Sequence, residues 1–256
     1  MSEPTKGFVI VASTKKFFYL SAINLIESIK DYYPEAKCCL VTEEHFLDDR
    51  GRRVADDILF CDNHTRAKLW GMARSPYDLT FYIDADTECE HEDIATIFDK
   101  FDGHDVMFTG LVDKARHYCY AEVFFDGARK PDGTPGGFEL CGGVCLYDMR
   151  NPLVQEFMHD WYDLTVEQYA RRWWPTKEDG TEDLENYPAS FKRWDQFSLW
   201  WLTNREPKYK DLKVGILDDD ARWNYYSKYK DHLKHNREPV VIRHFSSAGA
   251  KKETYR

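Results

Sequence analysis

Short apolar runs alternate with segments of helical periodicity through the first half of the chain. Phe8-Val9-Ile10-Val11-Ala12 is the kind of run expected of a buried strand, and Ser13 and Thr14 behind it suit a turn or a helix start. Phe18, Ala22, Leu25, Ile29 and Tyr32 then recur at near-helical spacing until Pro34 stops the segment. Cys38-Cys39-Leu40-Val41 predicts a second strand and Ile58-Leu59-Phe60 a third. Strand, helix, strand in that order implies a parallel sheet. Leu69 to Ala73 reads as a helix broken by Ser75-Pro76, and Leu79-Thr80-Phe81-Tyr82-Ile83 as a strand ending in Asp84-Ala85-Asp86. Ile94, Ile97, Phe98 and Phe101 mark another helix, and Asp105-Val106-Met107-Phe108-Thr109 returns to the sheet.

Beyond this point the alternation weakens. The stretch from Gly127 to Gly137, rich in Gly and Pro, reads as a long loop of the sort that covers sites. Val144-Cys145-Leu146-Tyr147 predicts a strand, and Val154, Phe157, Met158, Trp161 and Leu164 form one apolar helix face. Pro175 to Pro188 is polar and acidic, an exposed loop. Asp195 to Leu202 is aromatic-rich and helical, Val214 to Leu217 a short strand, and Val240 to Arg243 the last one, running into His244. No internal repeat interrupts this order. The expectation is an α/β chain with a mostly parallel, Rossmann-like central sheet flanked by helices, in a single domain.

Size and composition agree with that. A chain of 256 residues with 43% hydrophobic content can bury one substantial core. The formal net charge of -10 counts against nucleic acid as a partner, because such affinity comes from Lys and Arg contacts to phosphates. The 7 cysteines are odd in number and lack the C-x-x-C spacing of a structural zinc site, so reduced thiols in a cytosol are expected. Met1 to Gly7 is polar and no apolar run is long enough to span a bilayer, so neither a signal peptide nor a transmembrane segment is expected, and the protein reads as cytoplasmic.

The acidic pair is the main chemical feature. Open α/β sheets bind ligands outside the carboxyl ends of their strands, and Asp84 and Asp86 stand at such an end. Two carboxylates one residue apart can face a single divalent cation, divide between a cation and a ribose hydroxyl, or be nothing more than a solvated turn. Hard cations such as Mg2+ or Mn2+ take oxygen ligands of this type and keep positions for substrate phosphates. A nucleotide-sugar donor, whose leaving group is a diphosphate, needs such a cation to offset the charge that grows as the glycosidic bond breaks.

The segment Ser75-Pro76-Tyr77-Asp78-Leu79-Thr80-Phe81-Tyr82-Ile83-Asp84-Ala85-Asp86-Thr87 resembles the one that carries the paired aspartates of GT-A nucleotide-diphospho-sugar transferases, particularly glycosyltransferase family 8. Cys141-Gly142-Gly143-Val144-Cys145-Leu146-Tyr147, Asp195-Gln196, Trp223-Asn224 and His244-Phe245-Ser246-Ser247 with Gly249 and Lys251 resemble further family segments in the same order. The resemblance implies a GT-A domain, with residues 1–110 as its nucleotide-sugar-binding half and 111–256 as its acceptor-binding half. It implies transfer of a hexose or pentose from a UDP-sugar to an acceptor hydroxyl, with retention of anomeric configuration and dependence on Mn2+ or Mg2+. The acceptor stays open between a glycan, a lipid-linked sugar, a small molecule and a protein.

By the same resemblance Asp84, Asp86 and His244 bind the metal, with Asp84 also near the donor ribose. Val11, Ala12, Ser13 and Thr14 hold the base and ribose, Lys68 or Arg74 reaches the donor, and Lys251 or Lys252 the diphosphate. Asp195 and Gln196 flank the anomeric carbon. The chain departs from the family at Cys141, where an Asn is usual, and at Lys251-Lys252-Glu253, which lacks the usual Pro and Trp. The Trp173-Trp174 and Trp200-Trp201 pairs are either part of an acceptor cleft or core. Two rivals remain. A sugar-nucleotide pyrophosphorylase needs a Gly-rich loop after the first strand, and Ser13-Thr14-Lys15-Lys16 has no glycine. A non-catalytic protein that binds nucleotide sugars would keep the same fold.

Overall fold

Period-two alternation along β1 (Lys6–Ala12) divides the interior into two layers. Phe8, Ile10 and Ala12 face one apolar cluster, while Val9 and Val11 face another on the opposite side of the sheet. In the computed structural model, which describes residues 3–64, 66–111, 139–187, 189–217, 220–226 and 239–245, β1 is an inner strand of a seven-stranded sheet. The other strands are β2 (Cys38–Thr42), β3 (Asp57–Phe60), β4 (Leu79–Asp84), β6 (Val106–Leu111), β7 (Glu139–Asp148) and β8 (Val214–Ile216), in the order β3-β2-β1-β4-β7-β6-β8. β1 to β4 are parallel neighbours, β7 runs antiparallel to both β4 and β6, and β8 is parallel to β6. The sheet is thus mostly parallel with one reversed strand. Strands such as β2, buried along their whole length, need helices on both faces, which explains their unbroken apolar runs.

One face is covered by α1 (Lys16–Tyr32), which lays Tyr19, Ala22, Ile23, Ile26 and Ile29 against the sheet. That stripe is rotated from the expected one: Phe18 is only partly buried and Tyr32 is 44% exposed. The other face is covered by α3 (Ala67–Met72), α4 (Pro152–Tyr169) and α5 (Asp195–Asn204), whose Leu69, Met72, Val154, Phe157, Trp161 and Leu199 share a cluster with Val9, Val11 and Tyr82. Full burial of one such aliphatic or aromatic side chain contributes about 1.5–3 kcal/mol. Asn151 caps α4 by accepting from Leu153 N–H at 2.9 Å, and Pro152 occupies the first turn, where its missing N–H costs nothing. A short α2 (Asp49–Val54) is capped by Asp48.

Several elements differ in detail from expectation. The helix expected around Ile94 is a 3-10 helix, Glu92–Lys100, whose three residues per turn bury Ile94 and Ile97 on one side. The last strand is β10 (Ile242–His244), which includes His244 and belongs to a second, three-stranded sheet with β5 (Thr87–Cys89) and β9 (Tyr225–Tyr226). Trp174 and Trp200 are buried with Phe191 and Phe197, and Trp173 and Trp201 pack against them, so both Trp pairs belong to a satellite aromatic core. The Gly127 to Gly137 segment, Lys251 and Lys252 lie outside the described residues. Among the described residues no helix is long and apolar enough to cross a membrane, and the described cysteines are all free.

Candidate active site

β4 delivers Asp84 to the carboxyl edge of the sheet, level with Val11 of β1. The chain then turns through Ala85 and Asp86 into β5, where Thr87 pairs with His244 of β10. Two hydrogen bonds close this turn: Thr87 Oγ1 donates to Asp84 O and Phe245 N to Asp86 O, each at 2.8 Å. The small sheet therefore carries His244 back over the acidic pair. One ligand atom from each of Asp84, Asp86 and His244 lies within 4.8 Å of the others, and His244 Nε2 is 3.2 Å from Asp86 Oδ1. His244 Nδ1 lies 2.8 Å from Asn224 Oδ1 on the far side of the ring.

Tyr82, two residues before Asp84 and on the same face of β4, donates its hydroxyl to Asp84 Oδ1 at 2.5 Å. Burial, reinforced by the Asp84 charge, pushes the Tyr82 phenol well above its ordinary range, so it remains a proton donor to the carboxylate. Gly143 of β7 passes directly beneath: a Cβ there would sit 2.7 Å from Asp84 Oδ2 and 3.2 Å from His244 Cε1. Only glycine leaves this space open. Two hard carboxylates and one imidazole, converging at partial burial, form a donor set that fits Mn2+ or Mg2+.

Beside this cluster lies a cleft of about 220 Å3, lined by Val11, Ser13, Thr14, Phe18, His64, Arg66, Ala67, Lys68, Tyr82, Asp84, Ala85 and Asp86. The turn after β1 shapes one wall. Thr14 adopts a left-handed φ of 72°, and its N–H donates to the buried carboxylate of Glu43 at 2.5 Å. Ser13 Oγ donates to the same Oε1 at 3.0 Å and accepts from His64 N at 3.4 Å. Ala12 is buried and does not line the cleft, and its carbonyl accepts from Thr42 Oγ1 at 2.9 Å.

Arg66 and Lys68, which also line the cleft, take part in a buried ion cluster. Lys68 Nζ pairs with Asp195 at the start of α5, and Arg66 NH1 lies 3.9 Å from the other carboxylate oxygen. Burial alone would raise the Asp195 carboxyl, but the Lys68 and Arg66 charges outweigh it and hold the group below the usual range. Desolvation likewise disfavours charge on Lys68, and Asp195 and Asp84 together more than offset it, so the ammonium is held protonated. The Asp195 backbone is fixed as well, its carbonyl accepting from Trp161 Nε1 at 2.9 Å. Gln196 follows, half-buried. Of the two basic residues expected at the donor, Lys68 lines the cleft. Arg74 does not: its guanidinium lies 4.5 Å from the centre of the Trp70 ring and donates to Trp70 O.

Phe18, His64, Arg66, Tyr82 and Asn224 were not candidates from sequence. Tyr82 has a local signal, since i and i+2 of a strand share a face. His64, Arg66 and Lys68 lie on the connection that leaves β3 at the ligand-binding edge, where polar residues invite attention. Asn224 stands in the Trp223-Asn224 segment that resembles the family, which assigns it no role, and Phe18 carries no such signal.

No family model matches the sequence, and no curated protein matches it. Solved structures do share its fold. The galactosyltransferase LgtC in complex with donor and acceptor sugar analogs is 15% identical, with 97% of this chain and 94% of that one covered and a TM-score of 0.56. Mouse xyloside xylosyltransferase 1 is 14% identical, with 95% and 99% covered and a TM-score of 0.51. A glycosyltransferase involved in the glycosylation of the major capsid of PBCV-1 is 8% identical, with 98% of each chain covered and a TM-score of 0.52. The class that these likenesses define is one of fold: the chain has the GT-A fold of these transferases.

Proposed function

We propose that the chain is a metal-dependent glycosyltransferase that moves a sugar from a UDP-sugar to an acceptor hydroxyl with retention of configuration. The observation that carries this reading is the convergence of Asp84, Asp86 and His244 at the carboxyl edge of the sheet, on the border of a cleft walled by Lys68. The GT-A fold shared with a galactosyltransferase that binds donor and acceptor sugar analogs supports it.

In this reading Asp84, Asp86 and His244 hold Mn2+ or Mg2+, which when bound offsets charge on the departing diphosphate. Val11, Ser13 and Thr14 hold the base and ribose on the wall clamped by Glu43, and Ala12 completes the strand end between them. Lys68 contributes a fixed positive charge to the donor side, because Asp195 keeps it protonated. Asp195, ionised and pinned by Lys68 and Trp161, suits electrostatic stabilisation of an oxocarbenium-like centre, with Gln196 beside it. A carboxylate held below its usual range is a weak general base, so the acceptor proton goes to a donor phosphate oxygen in a front-face displacement. Residues 1–110 form the nucleotide-sugar half and 111–256 the acceptor half. The acceptor is a glycan, a lipid-linked sugar, a small molecule or a protein. Burial pushes the Cys38 and Cys39 thiols up to about 12, which suits inert, reduced side chains in the cytoplasm.

The test is donor turnover. Incubation with Mn2+ and a panel of UDP- and GDP-sugars is expected to release UDP from one UDP-sugar, and EDTA or Asp86→Ala to abolish the release. Turnover that survives EDTA, or is unchanged in Asp86→Ala, refutes metal dependence. Tight binding of a donor with no release from any sugar identifies a non-catalytic binding protein instead.

A further inference from the structure

Asn224 lies between α6 (Asp220–Trp223) and β9, outside the three proposed ligands and outside the cleft lining, yet it is only 5% exposed. Its amide has three neighbours among the described residues. Nδ2 is 3.0 Å from Thr109 Oγ1 of β6 and 3.2 Å from Cys141 Sγ of β7, and Oδ1 is 2.8 Å from His244 Nδ1 of β10. One buried side chain thus joins two strands of the main sheet to the strand that carries His244.

The orientation of an amide is decided by its hydrogen-bond network. Here the hydroxyl of Thr109 and the sulfur of Cys141 take the two N–H hydrogens, which turns the carbonyl oxygen toward His244. A carbonyl oxygen only accepts, so Nδ1 of the imidazole must donate. The lone pair is then left on Nε2, the nitrogen that faces Asp86. A metal-ligating histidine needs this arrangement: one nitrogen anchored as a donor, the other free to ligate.

We propose that Asn224 is a positioning residue that sets the tautomer and ring orientation of His244 for a divalent cation, and that Thr109 and Cys141 hold the amide in the orientation this requires. The inference rests on the metal-dependent reading above. It also gives a place to Cys141, the residue that departs from the family pattern: its sulfur accepts from the amide that orients the histidine.

The experiment uses the full chain and Mn2+ alone, with binding followed by electron paramagnetic resonance of free Mn2+ and by calorimetry. Asn224→Leu, similar in size but without an acceptor, is expected to weaken Mn2+ binding about 10- to 100-fold, the usual cost of losing a partner behind a metal ligand. Asn224→Asp keeps an acceptor for Nδ1 and is expected to stay close to wild type. In a His244→Ala background Asn224→Leu should cause no further loss, because its effect passes through the imidazole. Wild-type affinity in Asn224→Leu overturns the positioning role while leaving the metal site standing. An equal loss with or without His244 overturns it in favour of packing. If near-UV circular dichroism shows that Asn224→Leu has not folded, Asn224→Asp decides: affinity as poor as that of His244→Ala overturns the proposal. Wild-type protein that binds no Mn2+ overturns the metal-dependent reading and this inference with it.

Discussion

Removing the ammonium from the Lys68–Asp195 pair tests how the donor wall is held. In Lys68→Met the methylene stem is kept and the charge is lost, leaving the Asp195 carboxylate, 8% exposed, with Arg66 at 3.9 Å as its remaining cation among the described residues. Breaking a buried pair by deleting one partner costs about 3–5 kcal/mol, because the other charge stays desolvated. Lys68 is itself 22% exposed and Arg66 compensates in part, so the lower end, about 3 kcal/mol, is expected. In a domain of this size that corresponds to a fall in Tm of roughly 6–12 °C.

The pH dependence has a definite sign. The Asp195 carboxyl is depressed in the folded state, so its contribution is present above the unfolded value of about 3.9 and is lost as pH falls through the folded one. Lys68 is raised, so its contribution is present below about 10.4 and is lost as pH rises through its folded value. Between these limits the wild type has the full benefit of the pair. In Lys68→Met, burial is opposed by Arg66 without Lys68, so the Asp195 carboxyl moves up, and its protonation relieves the variant as pH is lowered. Urea unfolding at several pH values measures this. A loss below about 1 kcal/mol at pH 7, or one that grows toward pH 5, refutes the description of Asp195 as a buried, cation-stabilised carboxylate.

Three further substitutions address the metal cluster and the turn after β1. Gly143→Ala places a methyl 2.7 Å from Asp84 Oδ2, so the carboxylate must shift; Mn2+ affinity measured by calorimetry should fall, and an unchanged affinity contradicts the geometry. Tyr82→Phe removes a donor from a partly buried carboxylate and should cost about 1.5–3 kcal/mol in urea unfolding, the usual range for a hydrogen bond to a charged group. Thr14→Gly relieves a β-branched residue at φ 72°, a strain of about 1–2 kcal/mol, against which the greater freedom of glycine in the unfolded chain must be set. A net gain of about 1 kcal/mol, read as a higher Tm, is expected, and a lower Tm shows that Thr14 has contacts worth more than its strain.

What the sequence by itself determined is local. The unbroken apolar run from Phe8 to Ala12 specified a buried strand, and helical spacing located most of the helices. The apolar run before Asp84 put the acidic pair at a strand end. These features depend on neighbours within a few residues, and backbone periodicity fixes which side chains share a face. The tertiary structure decided what depends on partners far away in the chain. The reversal of β7 follows from its pairing with β4 and β6, and nothing within Val144 to Tyr147 states a direction. The buried stripe of α1 runs through Tyr19, Ile23 and Ile26 and leaves Phe18 half-buried and Tyr32 exposed, because near-helical spacing marks a face without saying how the sheet meets it. Folding of β10 against β5 brings His244 over Asp84 and Asp86, and α3 and α5 must both dock before Lys68 meets Asp195. Asn224 is the clearest case: its amide acquires an orientation only when Thr109, Cys141 and His244 arrive from three different strands, since hydrogen bonds between distant segments exist only after the chain has packed.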